Sequence, residues 1–188
     1  MTRSEALLIG GRAGVGKTTV GWEVSALLRA AAVPHAVIDG DFMGQVHPAP
    51  QGDPSRAAIG ERNLTAVWGN YADLGYRRLV YTNTVCVLDE LGDSFRRALG
   101  NDARLVRVLL TATDATTRRR LAGRELGSEF GSELAGSVRK ARMLDARAPA
   151  DTVRVATDGR TVPDIAGEVL AATGWTAPQD APDRPGPG

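Results

Sequence analysis

Cysteine is nearly absent from this 188-residue chain, Cys86 being the only one. A lone thiol cannot close an internal disulfide and cannot build a structural zinc site. An excess of charge of either sign is missing too: 23 lysines and arginines face 22 aspartates and glutamates, a formal net charge of +1. That balance argues against a protein that works by wrapping nucleic acid or lying on an anionic membrane. No apolar run approaches the roughly 18–20 residues needed to cross a bilayer. The first apolar stretch, Ala6 to Ile9, is too short for a signal-peptide core. Internal repeats are absent. Lysine itself is scarce: among the basic residues only Lys17 and Lys140 are not arginine. In such a background a lysine at one particular position is less arbitrary, which bears on Lys17.

What is present describes an ordinary globular chain, with 43% hydrophobic and 24% charged residues. The length suits one domain. The expectation is a cytoplasmic protein, monomer or homodimer, with no nucleic-acid or membrane partner.

Apolar runs of strand length alternate with stretches of helical period, the pattern of an α/β domain with a mostly parallel sheet. Strands are expected at Ala6–Ile9, at Ala36–Ile38 ending on Asp39, from Leu79, at Leu105–Leu110 and at Thr152–Ala156. Helices are expected from about Gly16 to Ala32, Arg56 to Asp73, Phe95 to Leu99, Ala115 to Leu126, through Leu134 to Leu144, and from near Pro163. Phe42 to Asp53 shows no period and reads as a loop. The domain is expected to span residues 1–174. The proline- and glycine-rich residues 175–188 read as a disordered tail.

The chemistry lies in Gly11-Arg12-Ala13-Gly14-Val15-Gly16-Lys17-Thr18. It matches the phosphate-binding pattern G-x-x-x-x-G-K-[ST] at every fixed position, between a strand and an amphipathic helix. Glycines let backbone N–H groups turn inward around an anion, and the helix N-terminus adds about half a positive charge. Gly11, Ala13, Gly14, Val15, Gly16, Lys17, Thr18 and Thr19 are therefore the nucleotide-binding candidates. Lys17 would reach the β- and γ-phosphates, and the Thr18 hydroxyl would ligate Mg2+. Asp39-Gly40-Asp41 closes the second strand, on the sheet edge where open parallel sheets bind ligands. Asp-Gly-Asp is also a common turn, and a capping role for Asp41 stays open.

Arg118, Arg119, Arg120 and Arg124 crowd the fourth helix. Arg120 and Arg124 share a face and could stabilise a migrating phosphoryl group, with Gly123, Gly127 and Gly131 as hinges. A solvated basic face is the other reading. Trp22 and Trp68 fit helix faces and read as core or partly buried packing. His35 reads as structural, His47 as a residue that could touch a ligand, and Cys86 as a buried thiol.

The phosphate loop, Asp39-Gly-Asp41 and the arginine-rich segment resemble the P-loop small-molecule kinases. Within these the chain is most similar to the adenylylsulfate kinase and gluconate kinase group, with chloramphenicol phosphotransferase a more distant look-alike. The resemblance implies a three-layer α/β sandwich of the nucleotide-kinase type, with a five-stranded mostly parallel sheet and a lid. It implies ATP and Mg2+ as cofactors and phosphoryl transfer to a hydroxyl of a small-molecule acceptor. Asp39 would organise the metal beside Thr18, and Asp41 would accept the hydroxyl proton. Asp41, Phe42, Arg62 and Asn63 would contact the acceptor, and Asp158 would lie beside the nucleotide with Arg120. Adenylylsulfate kinases also lack the aspartate that usually ends the third strand, here Tyr81-Thr82-Asn83. The competing readings are a nucleotide-binding accessory module acting through a partner, and a GTPase, which the missing Asn-Lys-x-Asp signature disfavours.

Overall fold

The structure, a computed structural model, describes residues 3–123 and 130–176, with backbone alone at 130–134. Arg124, Gly127 and residues 177–188, which carry part of the lid and tail expectations, lie outside the described residues.

Five strands form one sheet in the order β2-β3-β1-β4-β5. They are β1 (Glu5–Gly10), β2 (Ala36–Asp39), β3 (Arg78–Thr82), β4 (Arg104–Thr111) and β5 (Val153–Ala156). Every pairing is parallel. Alternate side chains of β1 serve opposite faces, as the two-residue period of a strand dictates. Leu7 and Ile9 meet α1 (Lys17–Ala30) and α6 (Val162–Ala171) through Val20, Val24, Leu28, Ile165 and Val169. Ala6 and Leu8 face a second core built by Leu64 and Trp68 of α2 (Ala57–Asp73), Phe95 and Leu99 of α3 (Asp89–Leu99), and Leu144 of α5 (Phe130–Arg147). The short α4 (Asp114–Ala122) follows β4. This is the expected three-layer α/β sandwich. Fully burying a large aliphatic side chain is worth roughly 1.5–3 kcal/mol, so β1 alone contributes several such increments.

Three expectations are corrected here. Trp22 does not pack: it is 57% exposed on α1. Helix α3 begins at Asp89, ahead of Phe95, because Asp89 and Glu90 complement the positive end of the helix. Trp175 belongs to the domain and not to a tail. It is 6% exposed within the α1–α6 core, with the Arg78 guanidinium 5.9 Å from its ring centroid. Its backbone N–H donates to Thr173 Oγ1, and the Thr173 carbonyl accepts from Arg104. Among the described residues no helix is long and apolar enough to cross a membrane.

Candidate active site

Parallel strands bring all their carboxyl ends to one edge, and the candidate residues hang from that edge. The loop after β1 turns through Gly11, Gly14 and Gly16, all at positive φ. Gly14 has a steric reason as well. A Cβ there would stand 2.9 Å from Leu121 Cγ, so α4 lies directly against the loop. Arg12, 3% exposed, donates from Nη1 to Asp114 Oδ1 at 2.5 Å and from Nη2 to Thr117 Oγ1 at 2.6 Å. Ser137 of α5 donates to the Ala13 carbonyl at 3.1 Å. The loop is thus held from both helices. Lys17, 8% exposed, opens α1 and curls back so that Nζ lies 3.5 Å from the Arg12 carbonyl oxygen.

A chain of hydrogen bonds runs from the loop across β2 to β3. Thr18 Oγ1 donates to Asp39 Oδ2 at 3.0 Å. Asp39 Oδ1 accepts the Asp41 backbone N–H at 3.1 Å. Asp41 Oδ1 in turn accepts from Asn83 Nδ2 at 2.8 Å, and the Asp41 carbonyl accepts from Gln45. Gly40, between the two aspartates, has no room for a side chain: a Cβ there would meet the Tyr81 hydroxyl at 2.1 Å. Burial, then the charges of Cys86, Asp41 and Asp39, push the Tyr81 phenol up, so it stays neutral and acts as a floor. Burial likewise pushes the Cys86 thiol up to about 12, which leaves it a packed, unreactive group.

The exposed Thr18 hydroxyl and the half-buried Asp39 carboxylate are hard oxygen donors 3.0 Å apart. That donor set fits Mg2+ when phosphate and water oxygens fill the remaining positions. No cluster of three or more His, Cys, Asp or Glu side chains stands ready for a metal among the described residues.

Two cavities open on this edge. The larger, about 600 Å³, lies over the ends of β2 and β3 and is lined by Asp41, Gln45, His47, Ser55, Arg56 and Asn83 among others. The smaller, about 200 Å³, lies on the β5 side against Val15, Thr19, Arg120, Thr157, Val162 and Ile165. The β1 loop sits between them, as the strand order requires.

The remaining candidates fall as follows. Arg120 is tethered to the phosphate loop and to the end of β5. Its Nη1 donates to the Val15 carbonyl and to Thr157 Oγ1, each at 3.0 Å, and its Nη2 to the Thr157 carbonyl at 3.0 Å. It forms a fixed wall of the smaller cavity. Gly131 is the second residue of α5. Asp158 does not line that cavity, although its neighbours Thr157 and Arg160 do. Its carboxylate binds Thr113, tying β5 to the start of α4, and hydroxyls of Thr116 and Thr113 hold its pKa below the usual range.

Phe42 is 69% exposed at the end of a 3₁₀ turn and does not line the larger cavity. Arg62 lines a separate hollow with Glu61 and Thr65, and Asn63 spends its amide on the Met43 carbonyl at 2.8 Å. Neither Arg62 nor Asn63 lines the larger cavity with Asp41, although Met43 stands two residues from it. His47 does line the cavity. Sequence reasoning missed Asn83, Arg12, Arg56 and Thr157. Only Asn83 carried a signal, since it stands where a strand-ending aspartate is usual.

Among solved structures the chain is similar to a gluconokinase from Sinorhizobium meliloti 1021, with 22% identity over 90% of each chain and a TM-score of 0.56. An APS kinase from Mycobacterium tuberculosis, in complex with AMPPNP and APS, matches with 19% identity, 92% of this chain, 99% of that one and a TM-score of 0.58. A tunicamycin resistance protein from Deinococcus radiodurans matches with 19% identity, 92% and 96% coverage and a TM-score of 0.62. No protein-family model and no curated protein sequence matches the chain. The fold is that of the P-loop small-molecule kinases.

Proposed function

We propose that this P-loop kinase fold transfers the γ-phosphoryl group of ATP to a hydroxyl of a small molecule seated in the larger cavity. One observation carries the reading. The phosphate loop lies between two cavities, and the larger holds, among the described residues, a single carboxylate, Asp41, tied through Asp39 to the Thr18 hydroxyl. The nucleoside then belongs on the β5 side, between Arg120, Thr157 and Val162, with its phosphates running over the loop toward β2.

Each residue has a task set by its place. The loop amides and the N-terminus of α1 bind the phosphates, and Lys17 supplies positive charge where charge builds up during transfer. Thr18 and Asp39 would hold Mg2+. When bound, the metal neutralises phosphate charge and so eases departure of the γ-phosphoryl group. Asn83 fixes one oxygen of Asp41. The other is left to accept the proton of an acceptor hydroxyl, which requires an approach within about 3 Å. A concave, polar cavity favours this reading over an accessory module, which would need an apolar surface of partner size.

The test is acceptor-dependent ADP formation from magnesium-ATP over a panel of sugar acids, nucleosides, adenylylsulfate and hydroxylated antibiotics. The expected result is one chemical class that accelerates ADP release and leaves phosphorylated on a hydroxyl. Tight binding of ATP with no acceleration by any class would support the accessory module instead.

A further inference from the structure

We propose that Arg12 is a positioning residue for phosphoryl transfer: its guanidinium carries the placement of α4 into the phosphate loop and so fixes where the Lys17 ammonium stands. The inference rests on the transfer reading above and deepens it, since Lys17 is the group that would meet the charge of the migrating phosphoryl.

The phosphate-binding pattern leaves position 12 free, so anion binding alone does not account for an arginine there. Nor does stability. Arg12 is 3% exposed, and its Nε is buried without a partner among the described residues. A buried guanidinium with an unmet N–H is costlier than an apolar side chain of similar volume. Its terminal nitrogens all turn to the passage from β4 into α4. Nη1 donates to Asp114, and Nη2 donates to the Ala112 carbonyl at 3.2 Å and to Thr117 Oγ1. A rigid planar fork can meet acceptors placed this way, and the point charge of a lysine cannot.

The other end of the same residue holds the lysine. The Arg12 carbonyl accepts from Lys17 Nζ at 3.5 Å and from the Val15 N–H at 3.3 Å. A shift of α4 therefore moves the oxygen against which the ammonium rests. Helix α4 is in turn fixed from the β5 side. Thr113, its N-cap, donates from its amide and hydroxyl to Asp158, and Arg120 near its end donates to the Val15 carbonyl and to Thr157. Arg12 and Arg120 thus pin both ends of the turn 12–15 to one helix. Thr117 serves that seam twice: its Oγ1 takes Arg12, and its Cγ2 would stand 3.0 Å from a Cβ at Gly14. Misplacing a reacting group by about 1 Å can cost on the order of 10²-fold in rate, so this register bears directly on transfer.

The test exploits the scarcity of lysine. Lys17 and Lys140 are the only two, so isotopic labelling at lysine Cε gives two NMR signals in the full chain, and Lys17→Ala assigns them. Thr117→Val removes the Nη2 acceptor, keeps a methyl group against Gly14 and changes no charge. Asp114→Ala cuts the other arm at a side chain 66% exposed, where folding is not at stake. In the wild type the Lys17 signal should move on saturation with magnesium and AMPPNP. In both variants the nucleotide-free Lys17 signal should be displaced and the Lys140 signal unmoved, with AMPPNP affinity little changed. Single-turnover transfer from magnesium-ATP to the acceptor class found above should slow roughly 10- to 10²-fold. Adding Thr117→Val to Lys17→Ala should slow transfer no further, the mark of a residue that acts through the lysine. A Lys17 signal unmoved in both variants, or equal slowing with and without Lys17, overturns the proposal while AMPPNP binding leaves the transfer reading standing. A wild-type Lys17 signal indifferent to AMPPNP overturns both.

Discussion

Replacing the two aspartates separately should split binding from chemistry. Asp39 uses both oxygens for positioning, one toward Thr18 at 3.0 Å and one toward the Asp41 N–H at 3.1 Å. In Asp39→Asn one of those positions becomes an N–H group facing a donor, and the negative charge is gone. Hydrogen bonds to charged groups are worth about 1.5–3 kcal/mol, so magnesium-nucleotide affinity should fall roughly 10- to 100-fold. Asp41→Asn differs. Its side-chain carbonyl can still accept from Asn83, so the turn survives and nucleotide affinity should be unchanged. The outward-facing amide cannot take a proton, and losing such a group costs about 10²–10⁴ in rate. At 1.36 kcal/mol per decade that is roughly 2.7–5.4 kcal/mol of barrier. The assay is single-turnover transfer from magnesium-ATP to an accepted substrate, with affinity measured separately by calorimetry. Full transfer by Asp41→Asn would refute its role as base and leave positioning as the whole of its contribution.

Other expectations follow from single contacts. Gly40→Ala must displace the Tyr81 ring, so it should lower stability by about 1–3 kcal/mol, as overpacking does, and slow transfer by moving both aspartates; denaturant melts with rate measurements check this. Trp175→Ala should cost roughly 3–5 kcal/mol, read as a lower melting temperature, with little change in nucleotide affinity in the folded fraction. Arg120→Ala removes three hydrogen bonds that wall the smaller cavity; it should weaken nucleotide binding while leaving acceptor affinity alone, as calorimetry of each ligand would show.

Much of this was legible because some residues carry their geometry in their type and spacing. The phosphate loop announces itself, since only glycines permit its backbone and only one lysine follows them. Asp39 was placed by the apolar run before it, which fixes the strand end. Asn83 marks itself by standing where a strand-ending aspartate is usual, but an asparagine there does not name its partner. Its value comes from the pairing of β3 with β2, which brings it to Asp41. Arg12 and Arg56 were unreadable for the same reason, their partners lying far along the chain or depending on a left-handed backbone. Trp175 reads as tail because Gly174 and many prolines surround it, yet a single indole in the α1–α6 core outweighs that composition. Arg62 and Asn63 line no wall of that cavity, because residue type alone does not say which face of α2 meets it.

The central claim, that the loop delivers the γ-phosphoryl group toward Asp41, is tested most directly by following the γ-phosphate of labelled ATP in wild type and in Lys17→Ala. The wild-type protein should move the label to an acceptor hydroxyl. A Lys17→Ala protein with an unchanged melting curve should transfer it about 10²–10³ times more slowly, the range for losing one preorganised charge-stabilising group. Label moving at the wild-type rate in folded Lys17→Ala would contradict the account.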